Sequence, residues 1–205
     1  MLKEQIQEEL KLLGLNAIQH PIFYNCTYGI RFEIGVGEVY DKDMSPRKEY
    51  LENALGRAVT VYKKGIQSPS ILVWEVYSQN TDEKNNYKML FTEKIAPILP
   101  HEESSQEIDE GAITQTLFYW DLKKITLPIT KVFEEIIHGD LGGLQEFVSS
   151  VYLFDNQSHV MLHLYDDRGL DVVACDKSSL TFLYQELNDW ILDYDRKQID
   201  KIFNC

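Results

Sequence analysis

The chain is poor in cysteine, proline and positive charge. Its three cysteines among 205 residues, Cys26, Cys175 and Cys205, are odd in number and show no C-x-x-C spacing. That pattern argues against a disulfide framework and a cysteine zinc cluster, and predicts reduced intracellular thiols. No apolar run approaches the roughly 20 residues of a transmembrane helix. The start, Met1-Leu2-Lys3-Glu4-Gln5-Ile6, carries charges where a signal peptide needs its apolar region. A cytoplasmic protein is expected.

Lys and Arg number 20 against 33 Asp and Glu, a formal net charge of −13. Residues 1–100 are nearly balanced, with 12 bases and 13 acids, whereas residues 101–205 hold 8 bases and 20 acids. Within the second half, residues 132–176 carry nine acids against Arg168 alone, which places most of the imbalance on a helix and the strands that follow it. Such a chain repels polyanions, because nucleic-acid affinity comes largely from Lys and Arg displacing counterions. Anionic lipid is disfavoured on the same grounds. With 44% apolar residues and a length that buries roughly 70% of the unfolded surface, the chain needs no metal or disulfide to fold.

Hydrophobic spacing then predicts the elements. Ile6, Leu10 and Leu13 mark an opening helix that Gly14 stops. Ile30, Phe32 and Ile34 alternate as in a half-buried strand. Ser45-Pro46 reads as a cap and first turn of a helix over 46–64, with Leu51, Leu55, Ala58 and Tyr62 on one face. Ile71 to Tyr77 is dense in β-formers, and residues 87–96 fit either a helix or irregular structure. Residues 100–111 hold five acids and no base and predict a solvated loop. A single α+β domain spanning 1–205 is expected, with two lobes joined at that loop as the alternative. Residues 112–121 alternate as a strand, and a helix over 129–138 runs to a Gly139–Gly143 stop. Val151–Phe154, His159–Tyr165 and Leu170–Cys175 read as a three-stranded antiparallel meander. Its middle strand turns Val160, Leu162 and Leu164 to the core and His159, Met161, His163 and Tyr165 to the other face. Leu180, Leu183, Leu187 and Ile191 share a helical face, and Asp195 with Gln198 forms a capping box for a last helix through Phe203. The fold class is therefore α+β: an antiparallel sheet, with its C-terminal meander, packed on helices.

His163-Leu164-Tyr165-Asp166-Asp167-Arg168-Gly169-Leu170-Asp171-Val172-Val173-Ala174, followed by Trp190-Ile191-Leu192-Asp193-Tyr194-Asp195-Arg196, resembles the bacterial domain-of-unknown-function family numbered 3885. Phe23-Tyr24-Asn25 and Gly29-Ile30-Arg31-Phe32-Glu33-Ile34-Gly35 are similar to its N-terminal signature. The resemblance implies a small acidic cytoplasmic protein of Gram-positive bacteria, and it brings no catalytic residues with it.

Two patches invite a role. Asp166, Asp167, Arg168 and Asp171 surround a tight turn and either meet a cationic partner, a reading favoured over a divalent cation because the rest of an EF-hand loop is lacking, or form an ordinary hairpin turn, its glycine at positive φ and its arginine neutralising the acids. Trp190 and Asp193 lie in a segment mixing aromatics with acids, as in a binding hot spot, unless Ile191 and Tyr194 are core and Asp195 a cap. His159 and His163 lack further zinc ligands. Gly35-Val36-Gly37 lacks the third glycine of a dinucleotide loop. Neither metal nor cofactor is expected. The leading expectation is a noncatalytic immunity-type protein whose acidic half covers a basic partner such as a toxin. An enzyme using acids of the 166–171 turn is the alternative.

Overall fold

The computed structural model describes residues 1–18, 20–139, 141 and 150–204. Among them, seven strands form one antiparallel sheet: β1 (Tyr28–Glu33), β2 (Ile71–Ser78), β3 (Glu102–Ile108), β4 (Ile113–Asp121), β5 (Ser150–Asp155), β6 (Val160–Leu164) and β7 (Gly169–Ala174), in the order β1-β7-β6-β5-β2-β4-β3. The expected meander is β5-β6-β7, and the fold is α+β as its periodicities predict.

Helices cover both faces. On one side lie α3 (Lys48–Gly65), α4 (Thr81–Lys94), α5 (Ile129–Gly139), α6 (Ser178–Glu186) and α7 (Arg196–Phe203). They bury the larger core, which is dense in aromatics where Phe91 stacks on Trp120 with ring centroids 4.2 Å apart. On the other side α1 (Leu2–Leu12) sets Leu2, Ile6 and Leu10 on Val73, Tyr119, Tyr152 and Met161. The short helix α2 (Ile22–Asn25) continues this cover with Ile22. Met161 and His163 lie on the expected other face of their strand, and this face too is buried. Their strand is sandwiched by an element about 150 residues upstream, which local alternation does not reveal.

Several other expectations are corrected. Residues 102–108 are not a solvated loop but the edge strand β3, paired to β4 along its length. An edge strand needs no apolar face when its side chains find partners. Here Glu103 meets Lys84 and Lys88 on α4, while Glu102 accepts the Leu2 and Lys3 N–H groups that open α1. The helix expected at 46–64 begins at Lys48, because Ser45 turns back and donates its N–H and hydroxyl to Asp43. Residues 87–96 fall largely in α4, whose start is capped by the Asn80 side chain accepting the Glu83 N–H at 2.9 Å. Ile191 leaves the helical face shared by Leu180 and Leu183 and bridges Phe32 of β1. The glycines proposed to stop α5 beyond Gly139, Gly142 and Gly143, lie outside the described residues.

Candidate functional site: a polar seam across the covered sheet face

Five adjacent strands each place a polar side chain in an otherwise apolar run on the α1 face, and β4 adds a sixth. The register aligns Arg31 of β1 with Asp171 of β7, Asp171 with His163 of β6, and His163 with Tyr152 of β5. Glu75 of β2 continues the row, and Gln115 of β4 ends it with a hydrogen bond to Glu75. Side chains alternate across a strand, so this pairing puts all six on one face.

At the β1 end the seam is an ion-pair cluster. Arg31 donates to Asp171 through Nε at 2.8 Å and Nη2 at 3.3 Å, and to Asp195 through Nη1 at 3.4 Å. Tyr24 donates to Asp195 at 2.7 Å, and the Phe23 N–H reaches Asp171 at 3.3 Å. Burial opposes the Arg31 charge, but Asp171 outweighs it and holds the guanidinium above its ordinary pKa. Burial also raises the Asp171 carboxyl against the pull of Arg31. Burial and the nearby Asp171 push the Cys26 thiol up to about 11, so it is no activated nucleophile.

At the β2 end, Glu75 is wholly buried and accepts hydrogen bonds from Tyr152 at 2.9 Å and Tyr77 at 2.9 Å, with the His20 ring 2.6 Å away. Burial alone would raise its pKa, yet these partners, His20 foremost, hold it below the usual carboxylate value. Between the two ends lies His163, stacked on Tyr152 with centroids 4.4 Å apart and with neither ring nitrogen hydrogen-bonded among the described residues. Burial, followed by the charges of His20 and Arg31, drives its pKa well below 6.5 and keeps it neutral. Among the described residues, no group of three or more His, Cys, Asp or Glu is placed to hold a metal ion. His159 sits apart from His163, outside β6 in a positive-φ turn, 2.9 Å from Glu9.

The six residues singled out in the sequence are dispersed. Asp166 is buried and holds the N–H and guanidinium of Arg168. Asp167 is buried on the other side of the turn and accepts from Tyr50 at 2.5 Å. Asp171 belongs to the seam, Trp190 lies under Arg57 at 4.9 Å, and Asp193 stands in solvent beside Arg196. The turn therefore does not converge three carboxylates on one pocket. Gly169 has no positive φ; it is small because a Cβ there would lie 3.0 Å from the Phe32 carbonyl oxygen. Asp195 does not cap α7 with its side chain, which the seam has taken. Four of the nine acids in 132–176, namely Asp155, Asp166, Asp167 and Asp171, are interior, so that stretch is not the acidic surface its charge suggested.

Sequence reasoning passed over Arg31, Glu75, Tyr152 and His20. The available signal was one charged residue inside an apolar strand, as in Ile71-Leu72-Val73-Trp74-Glu75-Val76-Tyr77.

The geometry defines a doubly covered antiparallel α+β protein with a polar row buried in its interior, ion-paired at the β1 end and hydrogen-bonded around Glu75 at the other. Residues 3–195 match the profile of DUF3885, a domain of unknown function, and the chain belongs to that family. No curated protein and no solved structure matches it. Among the described residues no helix is long and apolar enough to cross a membrane.

Proposed function

We propose that this chain is a noncatalytic protein-binding module of the immunity type, which meets a basic protein such as a toxin through the acidic open end of its sheet. The observation that carries the reading is how the acids divide. The interior carboxylates Asp155, Asp166, Asp167 and Asp171 are each bound by internal donors. By contrast, Glu107, Asp109 and Glu110 at the end of β3 are exposed, and none makes an ion pair among the described residues. Free surface charge of one sign steers an oppositely charged partner and raises its association rate. The enzyme alternative needed the acids of the 166–171 turn to converge, and they point to separate partners.

The test is co-purification with the product of the neighbouring gene, followed by association kinetics at low and physiological salt. Reversing Glu107, Asp109 and Glu110 to Lys should slow association by about tenfold or more at low salt. Absence of a complex, or a rate indifferent to both salt and reversal, would remove the proposal.

A further inference from the structure

The sheet has two edges, and the described residues close only one of them. Along β1, Ile191 bridges Phe32 and the Leu192 N–H donates to the Arg31 carbonyl at 2.9 Å, so this edge is capped from within. At the other edge, among the described residues, β3 pairs only with β4, and its alternate N–H and C=O groups face outward. A cleft flanks this open edge on each face. On the α1 side a cleft of about 230 Å³ is walled by Lys3, Ile6, Leu10 and Ile18 and floored by Gln106 and Gln115. On the α4 side a cleft of about 340 Å³ lies between Met89, Leu99, Pro100 and the Lys88–Glu103 pair, with Met89 and Leu99 more than half exposed.

We infer that β3 is a strand-addition site, where an extended basic segment of a partner pairs as an eighth strand and sends alternate side chains toward the two clefts. Main-chain hydrogen bonds supply affinity in this mode, and the flanking clefts supply selectivity. Charge selects the occupant. Of the five acids between residues 102 and 110, Glu102 and Glu103 are engaged by α1 and α4, whereas Glu107, Asp109 and Glu110 make no ion pair among the described residues, so a second copy of this chain would bring like charges to the new pair, which is destabilising. A basic strand reverses that sign, especially along Glu107, Asp109 and Glu110.

This inference rests on the protein-binding reading above and specifies how the partner is held. The probe is a short peptide alternating lysine with valine, compared with its glutamate–valine counterpart, and the readout is amide hydrogen exchange across 102–108. The lysine peptide should slow exchange saturably at the outward amides of β3, leave the β1 amides unchanged, and bind about tenfold more weakly to the variant carrying Glu107→Lys, Asp109→Lys and Glu110→Lys. Equal protection by the glutamate peptide overturns the charge selection. Absence of protection at any peptide concentration overturns strand addition, as does concentration-dependent self-protection of β3 with dimer formation. If charge reversal abolishes binding of the natural partner while β3 amides in the complex exchange as in the free chain, strand addition fails and the protein-binding reading stands.

Discussion

Truncating Asp171 tests whether the seam acts as a coupled unit. Its side chain is fully buried and receives Arg31 Nε at 2.8 Å, Arg31 Nη2 at 3.3 Å and the Phe23 N–H at 3.3 Å. In Asp171→Ala the guanidinium keeps, among the described residues, Asp195 at 3.4 Å and the Tyr24 hydroxyl at 3.2 Å, together with the faces of the Phe23, Tyr24 and Tyr165 rings. Removing one partner of a buried pair costs about 3–5 kcal/mol, because the remaining charge stays desolvated. The Arg31 side chain is 12% exposed, so water recovers part of that penalty and about 3 kcal/mol is expected. With a urea dependence of about 2–3 kcal/mol per molar, the midpoint should fall by roughly 1 M. Fluorescence of Trp74 and Trp120, buried on the opposite face, reports the transition. The companion variant Arg31→Met with Asp171→Leu replaces the pair by apolar groups but takes the guanidinium from the buried Asp195, so it should recover only part of the loss and still be more stable than the single losses added. A loss below about 1 kcal/mol in Asp171→Ala, or a double variant as unstable as the two single losses added, would refute the coupling.

Other expectations follow from the same geometry. His163 is held neutral when folded but takes a proton near pH 6.5 when unfolded, so below that pH the unfolded state binds the extra proton and stability falls with pH, by up to about 1.4 kcal/mol per unit. His163→Phe should keep the stack on Tyr152 and flatten the profile between about pH 6.5 and 5; an unchanged slope in urea titrations would sink the assignment. Tyr50→Phe leaves the buried Asp167 carboxylate short of its 2.5 Å donor and should cost about 1–3 kcal/mol by the same titration. Gly35→Ala would place a Cβ 2.7 Å from the Asp167 carbonyl oxygen and should lower stability by about 1–3 kcal/mol, whereas an unaffected variant would mean the loop moves freely. Asp193→Asn, at a side chain 95% exposed, should change stability by no more than about 0.5 kcal/mol.

The elements legible in the sequence were those whose own residues set the period. Ile30 and Phe32 in β1, the strands of the meander, and Val132, Phe133, Ile136 and Ile137 in α5 needed no distant partner to be recognised. The misreadings share a different cause. Strand β3 is polar along its length and is held by β4, by two lysines of α4 and by the start of α1. Ser45 and Asp195 are good capping residues in isolation, but nearer or stronger donors and acceptors took their side chains. The seam was invisible as a unit because its members lie between residues 20 and 195, and only the register of six strands brings them level. Glu75 and Asp171 nevertheless left a trace, a single charged residue amid β-formers.

That arrangement gives the buried charge a role that its energy alone would not explain. A buried ion pair contributes little net stability over apolar residues of equal size, but it penalises alternatives in which the partners separate. Slipping β7 by one residue against β1 would turn Asp171 into the apolar core beside Ile30 and Leu162 and leave Arg31 opposite an aliphatic side chain. The same slip between β6 and β7 would strip His163 of its polar neighbours. The seam thus sets the register of the meander, and it does so with carboxylates that the net charge of −13 counts as if they were at the surface. The acids at the end of β3 belong to a separate population, outside the seam and without ion pairs among the described residues. Reversing their charge breaks no ion pair among the described residues, but Asp109 and Glu110 sit at positive φ, so a loss of partner binding reports the surface and not the fold when the urea midpoint of that variant stays in place.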